Sequence, residues 1–334
     1  MRMAQEQKIY KVEVSAKTIV FAVFFLLLLA LLWVVRNLML SLFIAFIIMS
    51  AVKPPVLFLE QRKVPRRLGV LGIFILLILF FSFLLVWVIP PIVSETVLLL
   101  RHLPSMIGAV NPAIIEYVNL DSLSQYVPNI TTQAIQIIQT LFSNVMFVMT
   151  TLFFSIYLTI EDGFVEKTLL QFFSEKEARS VSVILKKTEK RLGSWLLGEL
   201  FLMLIVGFLT YIGLTLIGVR YALPLSIIAG LLEVVPNIGP TVSTIPAFIV
   251  AIAQSYFLGF ASIALYFIIQ QLENNLIVPY VMKKAIGLNP IVTLISLIVG
   301  GQLFGILGII LSIPLTLFLE TLLVEVLNTK QQTA

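Results

Sequence analysis

The stretch Leu231-Leu-Glu-Val-Val-Pro-Asn-Ile-Gly-Pro240 restricts the fold more than any other part of the sequence. It separates two apolar runs, Tyr221 to Leu232 and Thr241 to Ala253, and each is too short to cross a bilayer. A spanning helix needs about 20 apolar residues. Pro236 and Pro240 lack a backbone donor, and Gly239 accepts dihedrals that other residues avoid, so the helix breaks here. Glu233, Asn237 and freed backbone groups then lie at membrane depth. Irregular backbone survives there only when it is buried in protein or lines a wet cavity. Carriers build transport sites this way.

Composition agrees. Hydrophobic residues make up 60% of the 334, charged residues 12%, and mean hydropathy is +1.08. Soluble domains carry about 25% charged residues, so the expectation is an all-α integral membrane protein. The excess of Lys and Arg over Asp and Glu, 22 to 17, is confined to particular loops and calls for no nucleic acid. The chain has no cysteine and a single histidine, His102, which excludes disulfides, thiolate chemistry and multi-histidine metal sites. No cofactor is expected. Nucleotide-binding and protease motifs are absent, so the chain reads as a non-enzyme without a nucleotide motor.

In order, residues 1–90 hold three expected spans, 18–35, 38–52 and 68–89. The first two form a hairpin turning at Arg36-Asn37, and Pro54-Pro55 stop the second. Residues 91–140 are polar and read as amphipathic helices on the outer surface. A fourth span covers 141–160. Residues 161–194 form a basic, amphipathic cytoplasmic helix opened by a capping box, Ser174 to Glu177. The transport core follows: span 195–217, hairpin 221–253, span 257–279 and hairpin 290–327.

Lys and Arg gather in Lys53 to Arg67, Phe164 to Ser194 and Lys283-Lys284, so these loops are placed inside. With both termini also inside, parity makes 221–253 a hairpin entered from outside. Residues 290–327 then form a second hairpin, entered from inside and tipped at Gly300-Gly301-Gln302, unless Ile291 to Leu311 is a full span. The result is about eight hydrophobic segments, including two re-entrant hairpins in an inverted repeat, a recurrent carrier design.

Within the 257–279 span, Gln270, Glu273 and Asn274 fall at i, i+3 and i+4, on one helical face, with Asn275 beside them. Ionisable groups at such depth face a cavity or a partner. Glu233 and Glu273 suit a cation or a proton, and the amides Asn237, Asn274, Asn275 and Gln302 suit a neutral hydroxylated solute.

The motifs Glu233-Val-Val-Pro-Asn-Ile-Gly-Pro240 and Glu273-Asn-Asn-Leu-Ile-Val-Pro279, with Gly287-Leu-Asn-Pro290, Tyr157 to Gly163 and Gly300 to Pro314, resemble the autoinducer-2 exporter family of permease-like proteins. The resemblance covers nearly the whole chain. It implies a multi-pass cell-membrane transporter with cytoplasmic termini, assembled as a homo-oligomer such as a pentamer among membrane lipids. It carries site roles onto Glu233, Pro236, Asn237, Gly239 and Pro240, and onto Glu273, Asn274, Asn275 and Pro279. Three functions follow as expectations. The first is export of a small polar molecule such as the quorum-sensing signal autoinducer-2, with a proton or sodium as coupling ion. The others are sodium(lithium)/proton antiport and a membrane scaffold recruiting through 164–194.

Overall fold

The computed structural model describes residues 16–83, 144–282 and 288–333, apart from 162, 237 and 283–287, together with isolated positions 86, 90 and 98. The outer amphipathic segment expected at 91–140, the end of the third span, Asn237 and Lys283-Lys284 lie outside the described residues. What is described is helical. Five helices are long and apolar enough to cross a membrane, and three shorter apolar helices accompany them.

α1 runs Ala16–Gln61 without interruption, 46 residues and about 69 Å of axis. The hairpin expected at Arg36-Asn37 therefore does not form. Neither residue breaks a helix, and the Arg36 guanidinium lies over the Trp33 ring at 4.0 Å, a contact along one face. Pro54 and Pro55 also sit inside α1 rather than ending it. The chain turns instead at Lys63, in left-handed backbone (φ 66°), where the Lys63 N–H reaches Glu60 O and the Val64 N–H reaches Leu59 O.

α2 (Arg66–Phe83) and α3 (Val145–Ile160) pack on the second half of α1. Val52, Val56, Val70 and Phe74 form their core, with Leu152, Ile156 and Ile160 against it. The Arg66 guanidinium donates twice to the Thr159 carbonyl, at 2.9 and 3.0 Å, closing the open end of α3. α4 (Phe164–Phe172) leads to α5 (Glu175–Leu216), where the expected cytoplasmic helix and fifth span fuse into one rod of 42 residues. Its foot is tied to two other helices. Glu189 pairs with Lys53 of α1 at 2.8 Å, while Lys187 and Arg191 pair with Glu325 and Glu320 near the end of the chain, at 2.7 and 2.6 Å.

α6 (Ala222–Leu232) and α7 (Ile238–Gln254) form the first hairpin at the expected place, 11 and 17 residues long. α8 (Tyr256–Leu272) returns beside α7 and passes through a π-helical turn, Glu273–Ile277, into α9 (Val278–Val281). α6 crosses α5 where two glycines meet: a Cβ on Gly230 would press on Met203 O and the Gly207 backbone. α10 (Pro290–Thr333) folds back at Gly305 (φ 61°, ψ −140°), a conformation that glycine alone adopts cheaply. Its arms run antiparallel, because Gly300 abuts Gly308 and Ser312 while Gly301 faces Ile309. A second hairpin is thus present, with its corner at Gly305 rather than at Gly300-Gly301-Gln302.

Gly230→Ala forces α5 and α6 apart and should destabilise the protein by about 1–3 kcal/mol. Gly72→Ala, with open space around the position, should cost nothing; thermal unfolding in detergent separates the two. At the start of α5, the Ser174 hydroxyl and backbone N–H hold the Glu177 carboxyl below its ordinary range. A depressed carboxylate stabilises above its unfolded value and stops doing so as pH falls through its folded one. Amide exchange in the first turn of α5 should therefore be slow at neutral pH and accelerate through the acid range. In Ser174→Ala it should be fast at every pH.

Candidate functional site

The break between α6 and α7 is closed by short bonds rather than left open. Val234 N–H reaches Leu231 O, Val235 N–H reaches Leu232 O, Ile238 N–H reaches Pro236 O, and Gly239 N–H reaches Val235 O at 2.8 Å. Gly239 lies against the Leu232 carbonyl so closely that a Cβ has no room. This compact corner buries Gly239 and Pro240, leaves Pro236 half-buried, and turns Glu233 inward to 1% exposure.

Glu273 opens the π-turn of α8 and is also buried, at 3% exposure. The Glu233 and Glu273 carboxyls lie within hydrogen-bonding reach of one another. Gln270, one turn before, points its Nε2 at Glu273 Oε2 across 3.5 Å. Two carboxyl groups can bond to each other only if one of them holds a proton, since an ionised carboxylate accepts and cannot donate.

A third acid joins them. Glu199 of α5 is 3% exposed, its Oε1 meets no donor, and it acts electrostatically on Glu233 and Glu273. The motifs around Glu233 and Glu273 do not single it out. The signal was present, because Glu199 is the sole charged residue between Trp195 and Ile217.

The other expected site residues divide. Asn274 and Asn275 are exposed, and the Asn275 amide donates to Gln271 O at 2.9 Å, so the two asparagines do not join the carboxyls. They follow Glu273 by one and two residues, so at about 100° per residue they turn away from its buried side. Gln302 lines a cleft of about 560 Å³ between the two hairpin corners, opposite Leu232, Val235 and Gly239, with Gly301 and Gly305 on its own side. A second cavity of about 380 Å³ lies between α7 and α8, where Pro240, Thr241 and Thr244 face Tyr266 and Gln270. The two helical corners therefore share a cavity, and the buried Glu233 directly follows Leu232 of its wall.

Glu273→Leu leaves the Glu233 carboxyl buried without its partner and should cost about 1–3 kcal/mol of stability. Glu273→Gln keeps an amide donor there and should cost clearly less, as read from unfolding midpoints in one detergent.

The profile of the AI-2E family transporters matches residues 22–328. Among curated proteins, YrrI of Bacillus subtilis is 23% identical over 90% of this chain and 89% of its own. YueF of the same organism is 28% identical over 78% and 76%. Both carry provisional transport-protein names. The AI-2 transport protein TqsA of Escherichia coli is 26% identical over 84% and 83%.

Proposed function

The chain belongs to the AI-2E transporter family, and from that premise we propose that it is a secondary carrier of the cell membrane that exports a small polar organic molecule such as autoinducer-2. The observation that supports this most is the cleft shared by two broken helical hairpins, with the buried Glu233 and Glu273 carboxyls close to one of them. In this reading 221–253 enters from outside and 290–327 from the cytoplasm. The Lys53–Arg67 and 164–194 loops and the C-terminus then face inward.

The cleft walls are mainly aliphatic, with Gln302 as their polar side chain. Such walls suit a compact solute with an apolar side, and the Thr241, Thr244 and Gln270 side chains in the neighbouring cavity offer hydroxyl and amide partners. Energy for uphill export comes from an ion gradient, and the Glu233–Glu273 pair is the natural place for the ion. Copies of the chain assemble in the bilayer as a homo-oligomer.

The paired carboxyls also favour a second reading, sodium(lithium)/proton antiport. The scaffold reading has no comparable support, because Lys187, Glu189 and Arg191 of the 164–194 helix are engaged within the protein.

Purified protein in liposomes should accumulate autoinducer-2 against its gradient when a pH difference is imposed, and Glu233→Gln should lose most of that flux. Cation-driven pH change without solute movement would select the antiporter. Movement of neither solute nor ion would overturn the transporter reading.

A further inference from the structure

Glu199 reaches the carboxyl pair through the packing of α5 on α6. The helices are antiparallel and touch at Met203, Gly207 and Gly230. One more turn toward the foot of α5 sets Glu199 beside Glu233. Three acids from three separate elements thus converge in a region from which solvent is excluded.

Their surroundings offer little compensation. Gln270 approaches Glu273. Trp195 lies one turn from Glu199 on α5, and Tyr266 lies two turns before Glu273 on α8; the indole Nε1 and the phenol oxygen meet no partner. Tyr266 is the other titratable group on that face of α8. No Lys, Arg or His among the described residues pairs with any of the three acids. An unpaired buried anion costs several kcal/mol, so three bare carboxylates do not coexist here. Glu199 Oε1 and Glu233 Oε2 nevertheless stand buried without a donor.

We propose that Glu199, Glu233 and Glu273 form a single proton site, with Glu199 as the acceptor that exchanges a proton with the Glu233–Glu273 pair. While the pair holds the proton, it ties the first hairpin to α8. When the proton moves, an O–H bond on the pair breaks and one forms on Glu199, so the charge of the cluster is conserved. Two carboxylates then face each other and repel, and the corner carrying Glu233 moves away from α8. That this proton is the coupling ion rests on the transporter reading; the existence of the site does not.

A hydrophobic carbodiimide tests the site without any transport assay. Its C=N bond adds the O–H of a protonated carboxyl in apolar surroundings, giving an O-acylisourea that rearranges to a stable N-acylurea. Full-length protein in detergent, treated with dicyclohexylcarbodiimide and read by peptide mass spectrometry, should carry one adduct within the three acids. At alkaline pH, Glu199→Gln should slow labelling of the remaining pair roughly threefold or more, because a neighbouring negative charge no longer holds the proton there. At mildly acidic pH the rates should match wild type. Glu199→Asp should restore the alkaline rate, which a merely structural role would not do. No adduct on any of the three acids, or a Glu199→Gln rate equal to wild type at both pH values, overturns the proposal. Labelling as expected in protein that transports nothing would instead remove the transporter reading and leave the proton site standing.

Discussion

A backbone N–H or C=O inside an apolar environment must find a partner, and each irregular point in this chain is a local answer to that demand. At the first hairpin the answer is a run of tight turns from Leu231 to Gly239, whose bonds are made within the corner itself. At the second it is Gly305, whose left-handed backbone lets two arms meet through Gly300, Gly308 and Ser312. In α8 it is a π-turn, which keeps the backbone bonded while shifting its register. Because the breaks consume few polar partners, they can be pressed against neighbouring helices, and Glu233 is carried inward by the first of them.

The side chains obey the same demand less completely. Ser and Thr residues within the helices bond back to the preceding turn, as Thr151 does to Phe147 O and Thr159 to Ser155 O. Ser41 and Thr151 bond between α1 and α3 at 2.9 Å. Glu199 and Glu233 are exceptions, each with a buried carboxyl oxygen that meets no donor, as are the side chains of Ser155, Thr210, Trp195 and Tyr266. Ion pairs occur at the foot of α5, where Lys53, Lys187 and Arg191 find carboxylates with partial exposure to water. Such pairs contribute little to stability singly. Here they fix the position of α1 and of the last arm of α10 against one rod.

Much of this was legible from residue order. Short apolar runs around Pro236, Gly239 and Pro240 located the first hairpin, and Ser174 with Glu177 located the start of α5. What failed had physical causes. Arg36-Asn37 is polar without being helix-breaking, so polarity alone marked a turn that the backbone does not make. Pro54-Pro55 removes donors without forcing an end, so α1 continues through them. The corner of the second hairpin was set by Gly305, one of several glycines that sequence cannot rank before the packing of Gly300 on Gly308 is known. Glu199 was overlooked because it lies in an unbroken span, and only the crossing of α5 with α6 brings it to Glu233. Asn274 and Asn275 are exposed because they sit one and two residues past Glu273, about 100° and 200° further round the helix.

The π-turn shifts the aim of the helix that follows it. A helix advances about 100° per residue, so one residue taken up in a wider turn puts the segments on either side out of phase. The stripe through Tyr266, Gln270 and Glu273 belongs to the carboxyl region and the α7 side. Past the turn, Val281 and Met282 instead press on Gly198 of α5. One polypeptide rod therefore presents two differently aimed surfaces, and the change of aim falls at Glu273.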